Sequence, residues 1–155
     1  EKGLLHYKGV KRRFEVLGKV QNSLIITDYA HHPTEIEATI KTAKELYKKT
    51  IIAVFEPHTY TRTKTLFTQF QKALNLADFT IIMPTFSARE APIKSASGKA
   101  LFTTINHYNK SCIYAENVKQ IKKILQEINS YKNQNKQTRT SSKNIDNIIL
   151  FLVII

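Results

Sequence analysis

Two polar stretches hold residue types that do chemistry rather than build structure. The first is Asp28-Tyr29-Ala30-His31-His32-Pro33-Thr34-Glu35, set between an apolar stretch and an amphipathic one. A helix N-terminus presents unpaired backbone N–H groups and partial positive charge, which attract phosphate or carboxylate. An imidazole beside it adds a donor. His32 or Thr34 alone reads as a helix cap, whereas Asp28, Tyr29 and His31 together read as a binding group, since none of them is needed to end a strand. The second stretch is Glu56-Pro57-His58-Thr59-Tyr60-Thr61-Arg62-Thr63. Arg62 carries a planar fork of donors suited to bidentate contact with phosphate or carboxylate, and His58 follows the preceding strand directly. A lone arginine commonly ends in a surface salt bridge, but a position facing the first motif gives an anion-binding role equal weight.

Other chemistries find less support. Zinc requires three or four converging ligands, and the neighbours His31 and His32 diverge, so His31, His32 and His58 do not make a metal site. Cys112 lies among apolar neighbours, like a small core residue rather than an activated thiolate. The phosphate-cradling pattern G-x-x-x-x-G-K-[ST] is absent, and the four glycines are at 3, 9, 18 and 98. The chain alone therefore has no means of holding a nucleoside triphosphate.

The elements that position these motifs alternate. Phe14 to Leu17 and Leu24 to Thr27 are expected as short strands around a polar turn. Pro33 opens a helix with Ile36, Ile40, Ala43 and Tyr47 on one face, and Lys48 and Lys49 suit its C-terminal dipole. Ile51 to Phe55 is a continuous apolar run, as expected of a strand covered on both faces, and Pro57 ends it. A loop holding Arg62 follows, then a helix from Lys64 with Leu66, Phe67, Phe70, Ala73 and Leu74. Phe79 to Met83 gives another strand, Ser97 to Tyr108 a helix and Cys112 to Tyr114 a short strand. Val118, Ile121, Leu125 and Ile128 make one face of a further helix. Residues 131–144 read as a mobile polar loop, and 146–155 as a last buried strand. Such alternation predicts an α/β class: a three-layer, Rossmann-like domain with a mostly parallel sheet of about six strands flanked by helices. Ligands of such sheets sit beyond the carboxyl ends of the strands, which picks out the loops at Asp28, Glu56 and Thr85.

A length of 155 residues suits one domain. The net charge of +12 suggests nucleic acid at first, but its distribution argues otherwise. Residues 1–20 hold six Lys or Arg against two acids, and residues 110–143 hold eight against two, so the centre with its motifs is nearly balanced. A lysine-rich, asparagine-rich bias explains the excess better than nucleic-acid binding does. The single cysteine excludes an internal disulfide, no secretory signal is legible, and the eight-residue apolar run 148–155 is far short of the roughly 20 residues of a membrane span. A cytoplasmic protein, bound neither to nucleic acid nor to a membrane and monomeric, is the expectation.

Read in order, Gly9-Val10-Lys11-Arg12-Arg13-Phe14, the motif from Asp28, the stretch from Phe55 to Thr63 and Ala88-Arg89-Glu90 resemble the C-terminal domain of the Mur ligase family. The resemblance runs over residues 8–130 and returns at the final strand. Within the family it is nearest to the branch that adds L-alanine to UDP-N-acetylmuramate. The murein-tripeptide recycling branch shares the His-His-Pro motif but lacks the His-x-Tyr-Thr-Arg pattern, and the folate-pathway relatives lack the paired histidines.

The resemblance implies an ATP-dependent carboxylate-amine ligase of peptidoglycan synthesis with magnesium on the phosphates. UDP-N-acetylmuramate, L-alanine and ATP would be bound across three domains, of which this one closes over the others and is inactive alone. Residues 1–13 would be the linker from a central ATP-binding domain, and 14–155 the closing domain, with 131–144 a polar insertion. Residue by residue, Asp28 is similar to the carboxylate on the ATP ribose and Tyr29 to the aromatic beside adenine. His31 and Arg62 are similar to the groups facing the muramoyl carboxylate and the transferring phosphate, and His58 to a contributor to alanine binding. Thr59 stands where many members have a second arginine, and the final strand stops where members continue into a glycine-rich turn and a helix. A free-standing nucleotide-binding regulator or pseudoenzyme remains the alternative.

Overall fold

The computed structural model describes residues 10–20, 23–108, 111–137 and 148–153. Residues 1–9 of the expected linker, 138–147 of the polar segment and the last strand, and 154–155 lie outside the described residues.

Strand β1 (Glu15–Val20) turns back into β2 (Ser23–Asp28), antiparallel to it. A bulge between Val16 and Gly18 interrupts their register, and Gly18 takes φ 152°, a conformation that side-chain-bearing residues seldom adopt. Helix α1 (Pro33–Tyr47) carries the chain to β3 (Thr50–Phe55). From there α2 (Tyr60–Thr65) and α3 (Phe67–Leu74) lead to β4 (Phe79–Ile82), α4 (Gly98–Tyr108) to β5 (Cys112–Tyr114), and α5 (Val118–Gln137) to β6 (Ile148–Val153). Among the described residues the strand order is β1-β2-β6-β3-β4-β5, and every pairing except β1 with β2 is parallel.

Period-two alternation assigns the two faces of the sheet. Ile51, Ala53 and Phe55 of β3 join Ile26 and Ile82 in one core with Ile36, Ile40 and Ala43 of α1, Phe70, Ala73 and Leu74 of α3, and Leu101 and Ile105 of α4. Ile52 and Val54 point the other way, into a smaller core with Ile81, Met83 and Ile121, where Ile124, Leu125 and Ile128 of α5 also pack. Crossovers that step from β2 to β5 place their helices on one face. The return crossover to β6 places α5 on the other, as right-handed connection requires. The expected α/β class, a parallel sheet between helices, is what these residues form.

Four local expectations are corrected. Arg62 is not on a loop: helix α2 already begins at Tyr60, because Thr59 caps it, its side chain accepting from the Arg62 N–H. The expected single helix from Lys64 is two, since the chain breaks at Leu66 (φ −109°, ψ 17°) before α3 resumes. Val118 is 69% exposed and leaves the packed face to Ile121, Leu125 and Ile128. Helix α5 runs to Gln137, seven residues into the segment read as a loop, because its lysines and glutamines are good helix formers even without an apolar face.

Cys112 is buried, and desolvation pushes its thiol up to about 12, so it is packing material as expected. Gly98 marks a close approach of α4 to the backbone just past β4. A Cβ there would lie 2.0 Å from the Met83 carbonyl oxygen, while the Gly98 N–H donates to Thr85 Oγ1 at 2.8 Å. Gly98→Ala is expected to destabilise by about 1–3 kcal/mol through overpacking, a fall of about 2–4 °C in Tm for each kcal/mol in a chain of this size. Thermal unfolding followed by circular dichroism checks it, with Ala100→Gly as the comparison that creates no clash.

Candidate functional site at the carboxyl edge of the sheet

Asp28 at the end of β2 and Phe55 at the end of β3 both pair with Val153 of β6. Two strand spacings therefore separate the two motifs, roughly 10 Å, and both loops open on the same edge. The β4 loop joins them. Phe86 N donates to Pro57 O at 2.8 Å, and Thr59 N donates to Phe86 O at 2.9 Å, forming a parallel bridge between His58 and Phe86.

The first loop is built around carboxylates. Asp28, 7% exposed, accepts from Phe14 N at 3.1 Å and Thr39 Oγ1 at 3.0 Å, both on Oδ2. It thereby ties the 10–14 segment and α1 to the end of β2, and any ligand contact falls to its other oxygen. His32 is the N-cap of α1: its Nδ1 accepts from Thr34 N at 3.4 Å, and Glu35 accepts from the His32 N–H at 3.1 Å, completing a capping box. Glu35 also accepts from His31 N at 3.0 Å and lies 3.6 Å from Arg13 Nη1. Partial burial pulls Glu35 upward, but the two backbone donors and the His31 and Arg13 charges outweigh it and hold the carboxyl below its usual range.

His31 Nδ1 is 3.0 Å from the Tyr29 carbonyl oxygen and 3.5 Å from Glu35 Oε2. Both are acceptors, so Nδ1 carries the proton and Nε2 is the basic nitrogen of the neutral ring. The ring also meets Tyr29 edge to face at 5.3 Å. Arg12 and Arg13 stand over the Tyr29 ring with guanidinium carbons 5.3 and 5.6 Å from its centroid, so a nucleobase stacking on Tyr29 has to share that ring with them.

The second loop holds two buried nitrogens without a protein partner. Thr59, a β-branched residue, is forced to φ 67°, ψ 141°, a strained conformation of the kind found at binding and catalytic sites. Thr63, fully buried, ties the turn down by donating its hydroxyl to Thr59 O at 2.8 Å. Arg62 Nη1 and His58 Nδ1 are both sealed from water with no protein partner. Burial lowers the His58 pKa, and the positive charges of Arg62 and His31 lower it further, with Glu90 partly opposing them. His31, His58 and Arg62, predicted from separate motifs, thus share one electrostatic environment.

The family model described as "Mur ligase, glutamate ligase domain" matches residues 12–136. The chain belongs to the Mur ligase family. It is 42% identical over 130 residues to the UDP-N-acetylmuramate–L-alanine ligase of a Sulfurihydrogenibium species, covering 83% of this chain and 28% of that protein. To the ligase of the same name from Caldicellulosiruptor saccharolyticus it is 39% identical over 121 residues, 78% of this chain and 27% of that protein. The crystal structure of the Thermotoga maritima UDP-N-acetylmuramate–alanine ligase superposes with a TM-score of 0.62 at 25% identity, over 97% of this chain and 28% of that one. The chain therefore spans little more than a quarter of the length of the relatives it matches.

Set in this Mur ligase domain, the predicted residues divide by their partners. His58 and Arg62 keep nitrogens free of protein partners, whereas Asp28 is engaged by Phe14 and Thr39. Three contributors went unread in the sequence: Phe86, whose ring stacks on His58 at 5.3 Å; Thr61; and Glu90, whose carboxylate Thr61 contacts. Glu90 and Thr61 left a trace, within the Ala88-Arg89-Glu90 motif and the stretch from Glu56 to Thr63, but with no role attached. His58 is expected to titrate below the ordinary imidazole range in side-chain NMR, and Arg62→Gln to raise its midpoint by removing one of the two charges that disfavour the imidazolium. A midpoint unmoved by that change would leave the depression to burial and the His31 charge.

Proposed function

We propose that this domain closes over the reacting groups of an ATP-dependent ligase that joins L-alanine to UDP-N-acetylmuramate in peptidoglycan synthesis. One observation carries the reading: a guanidinium nitrogen of Arg62 and an imidazole nitrogen of His58 are withheld from water and from protein acceptors at the carboxyl edge of a parallel sheet. Buried polar groups are almost always paired, and a phosphate or carboxylate would supply the missing acceptor for Arg62 Nη1, and for His58 Nδ1 when that nitrogen carries a proton. The names of the Sulfurihydrogenibium and Caldicellulosiruptor relatives supply the substrate class.

In such a reaction the lactoyl carboxylate of the muramoyl substrate is activated by phosphoryl transfer from ATP and then attacked by the alanine amine. Arg62 would face the transferring phosphate and offset charge that grows there, a contribution strongest in a site from which water is excluded. His31, with Nδ1–H fixed on the Tyr29 carbonyl, would face the muramoyl carboxylate through Nε2 and donate to it in the imidazolium form. His58 would stand beside the incoming amino acid, kept neutral by its surroundings. Tyr29 and the outer oxygen of Asp28 would meet the adenosine end of ATP. Among the described residues no group of three or more His, Cys, Asp or Glu side chains is arranged to hold a metal ion. Magnesium, which would neutralise the ATP phosphates, is assigned to the rest of the enzyme.

By itself the domain is expected to release no phosphate above background from ATP, UDP-N-acetylmuramate and L-alanine. In a complete ligase carrying it, Arg62→Ala is expected to lower kcat by about 10²–10³-fold, the usual loss when one preorganised donor to developing charge is removed. The exposed Lys122→Ala should leave the rate within twofold of the parent, a margin equivalent to about 0.4 kcal/mol. Equal rates for the two variants in a phosphate-release assay would refute the reading.

A further inference from the structure

We propose that Glu90 is the positioning residue of this anion site: from the loop after β4 its carboxylate clamps Thr61 and so holds Arg62 and His58 in the pose that receives an anion. The inference rests on the anion-binding reading above and extends it to a residue that touches no substrate.

Glu90 Oε2 accepts from Thr61 N at 2.9 Å, and its Oε1 accepts from the Thr61 hydroxyl. Thr61 is flanked by Tyr60 and Arg62, two residues past the strained Thr59. A bidentate grip on Thr61 therefore fixes the first turn of a six-residue helix whose remaining anchors are the Thr59 cap and Thr63. A helix that short does not hold its geometry unaided. The loop that delivers the carboxylate is itself under strain, with Ala88 at φ 47° and Arg89 at φ 76°, closed by Glu90 N donating to Ser87 O at 2.9 Å. Left-handed backbone at two consecutive non-glycine residues persists only where surrounding contacts over-determine it. Here the contacts are the His58–Phe86 bridge on one side and the Thr61 clamp on the other. The hydrogen bonds from Thr61 hold Glu90 below the usual carboxylate range, so it is ionised when it grips.

An acid beside an anion site has a second, opposite effect, because its charge repels the ligand. The sign of the mutational effect therefore discriminates. Tripolyphosphate titrated into the chain by calorimetry serves as the test. If Glu90 positions Arg62, Glu90→Gln weakens tripolyphosphate binding by about tenfold, the worth of one charge-assisted hydrogen bond. If Glu90 acts only as a nearby charge, the same change tightens binding and the proposal is overturned.

Thr61→Ser keeps both donors and should bind as the parent does. Thr61→Val loses the hydroxyl and should weaken binding, and the Thr61→Val/Glu90→Gln pair should lose less than the two single losses combined. Fully additive losses would overturn the clamp. A readout independent of ligand is the Arg62 Nε–Hε order parameter: Glu90→Gln should lower it, while the His58 midpoint falls. Should the parent chain bind no tripolyphosphate, the anion reading fails, and the Arg62 order parameter alone decides Glu90: unchanged in Glu90→Gln, it rejects the clamp; lowered, it upholds it.

Discussion

A guanidinium nitrogen shut away from water without an acceptor is the constraint on which the rest of this molecule turns. An unmade hydrogen bond to a buried charged group costs more than a typical made one returns, so the surrounding structure has to hold Arg62 there against its tendency to swing out. It does so with short, stiff devices. Thr63 is fully buried and pins the Thr59 carbonyl. Thr59 accepts a backbone conformation foreign to β-branched residues. The break at Leu66 frees α2 from the direction of α3, which packs against the core through Phe70, Ala73 and Leu74. The helix carrying Arg62 can therefore be aimed by its loop contacts rather than by the hydrophobic face that fixes its successor.

What the amino-acid order made legible is what repeats along the chain. Ile51 to Phe55 read as a strand covered on both faces, and its alternate residues do enter two different cores. Ile36, Ile40 and Ala43 read as the inner face of a helix, and all three are fully or almost fully buried. His31, His58 and Arg62 could be named because imidazole and guanidinium are rarely needed at strand ends for structural reasons. The start of α2 at Tyr60 was illegible because it depends on Thr59 taking a positive φ, a choice enforced by Phe86 from a loop 27 residues away. The double engagement of Asp28 Oδ2 was hidden for a similar reason: Phe14 and Thr39 come from opposite sides in sequence. Long-range hydrogen bonds leave no periodic trace, and these are the bonds that shape the site.

The charge pattern gains meaning from the same geometry. By formal net charge the chain is strongly basic, yet the cations that matter for the site are few and lie within reach of one another. Two unit charges about 4 Å apart interact by about 4 kcal/mol at an effective dielectric of about 20, against about 1 kcal/mol in bulk water. A guanidinium does not give up its proton in proteins, so the strain of placing a second cation nearby falls on the group that can. His58 is that group, and its depressed pKa is the consequence.

An anion arriving between them reverses the argument. Its charge would remove the repulsion that disfavours the His58 imidazolium, and its oxygens would supply the acceptors that Arg62 Nη1 and, once protonated, His58 Nδ1 lack. Glu90 is held to Thr61 through both of its oxygens instead. Its charge is close enough to temper the cationic cluster while its hydrogen bonds keep it from quenching the site. The arrangement is self-consistent only if the acid is restrained and the base left unsatisfied, and the strained turns at Thr59 and at Ala88-Arg89 are what separate the two.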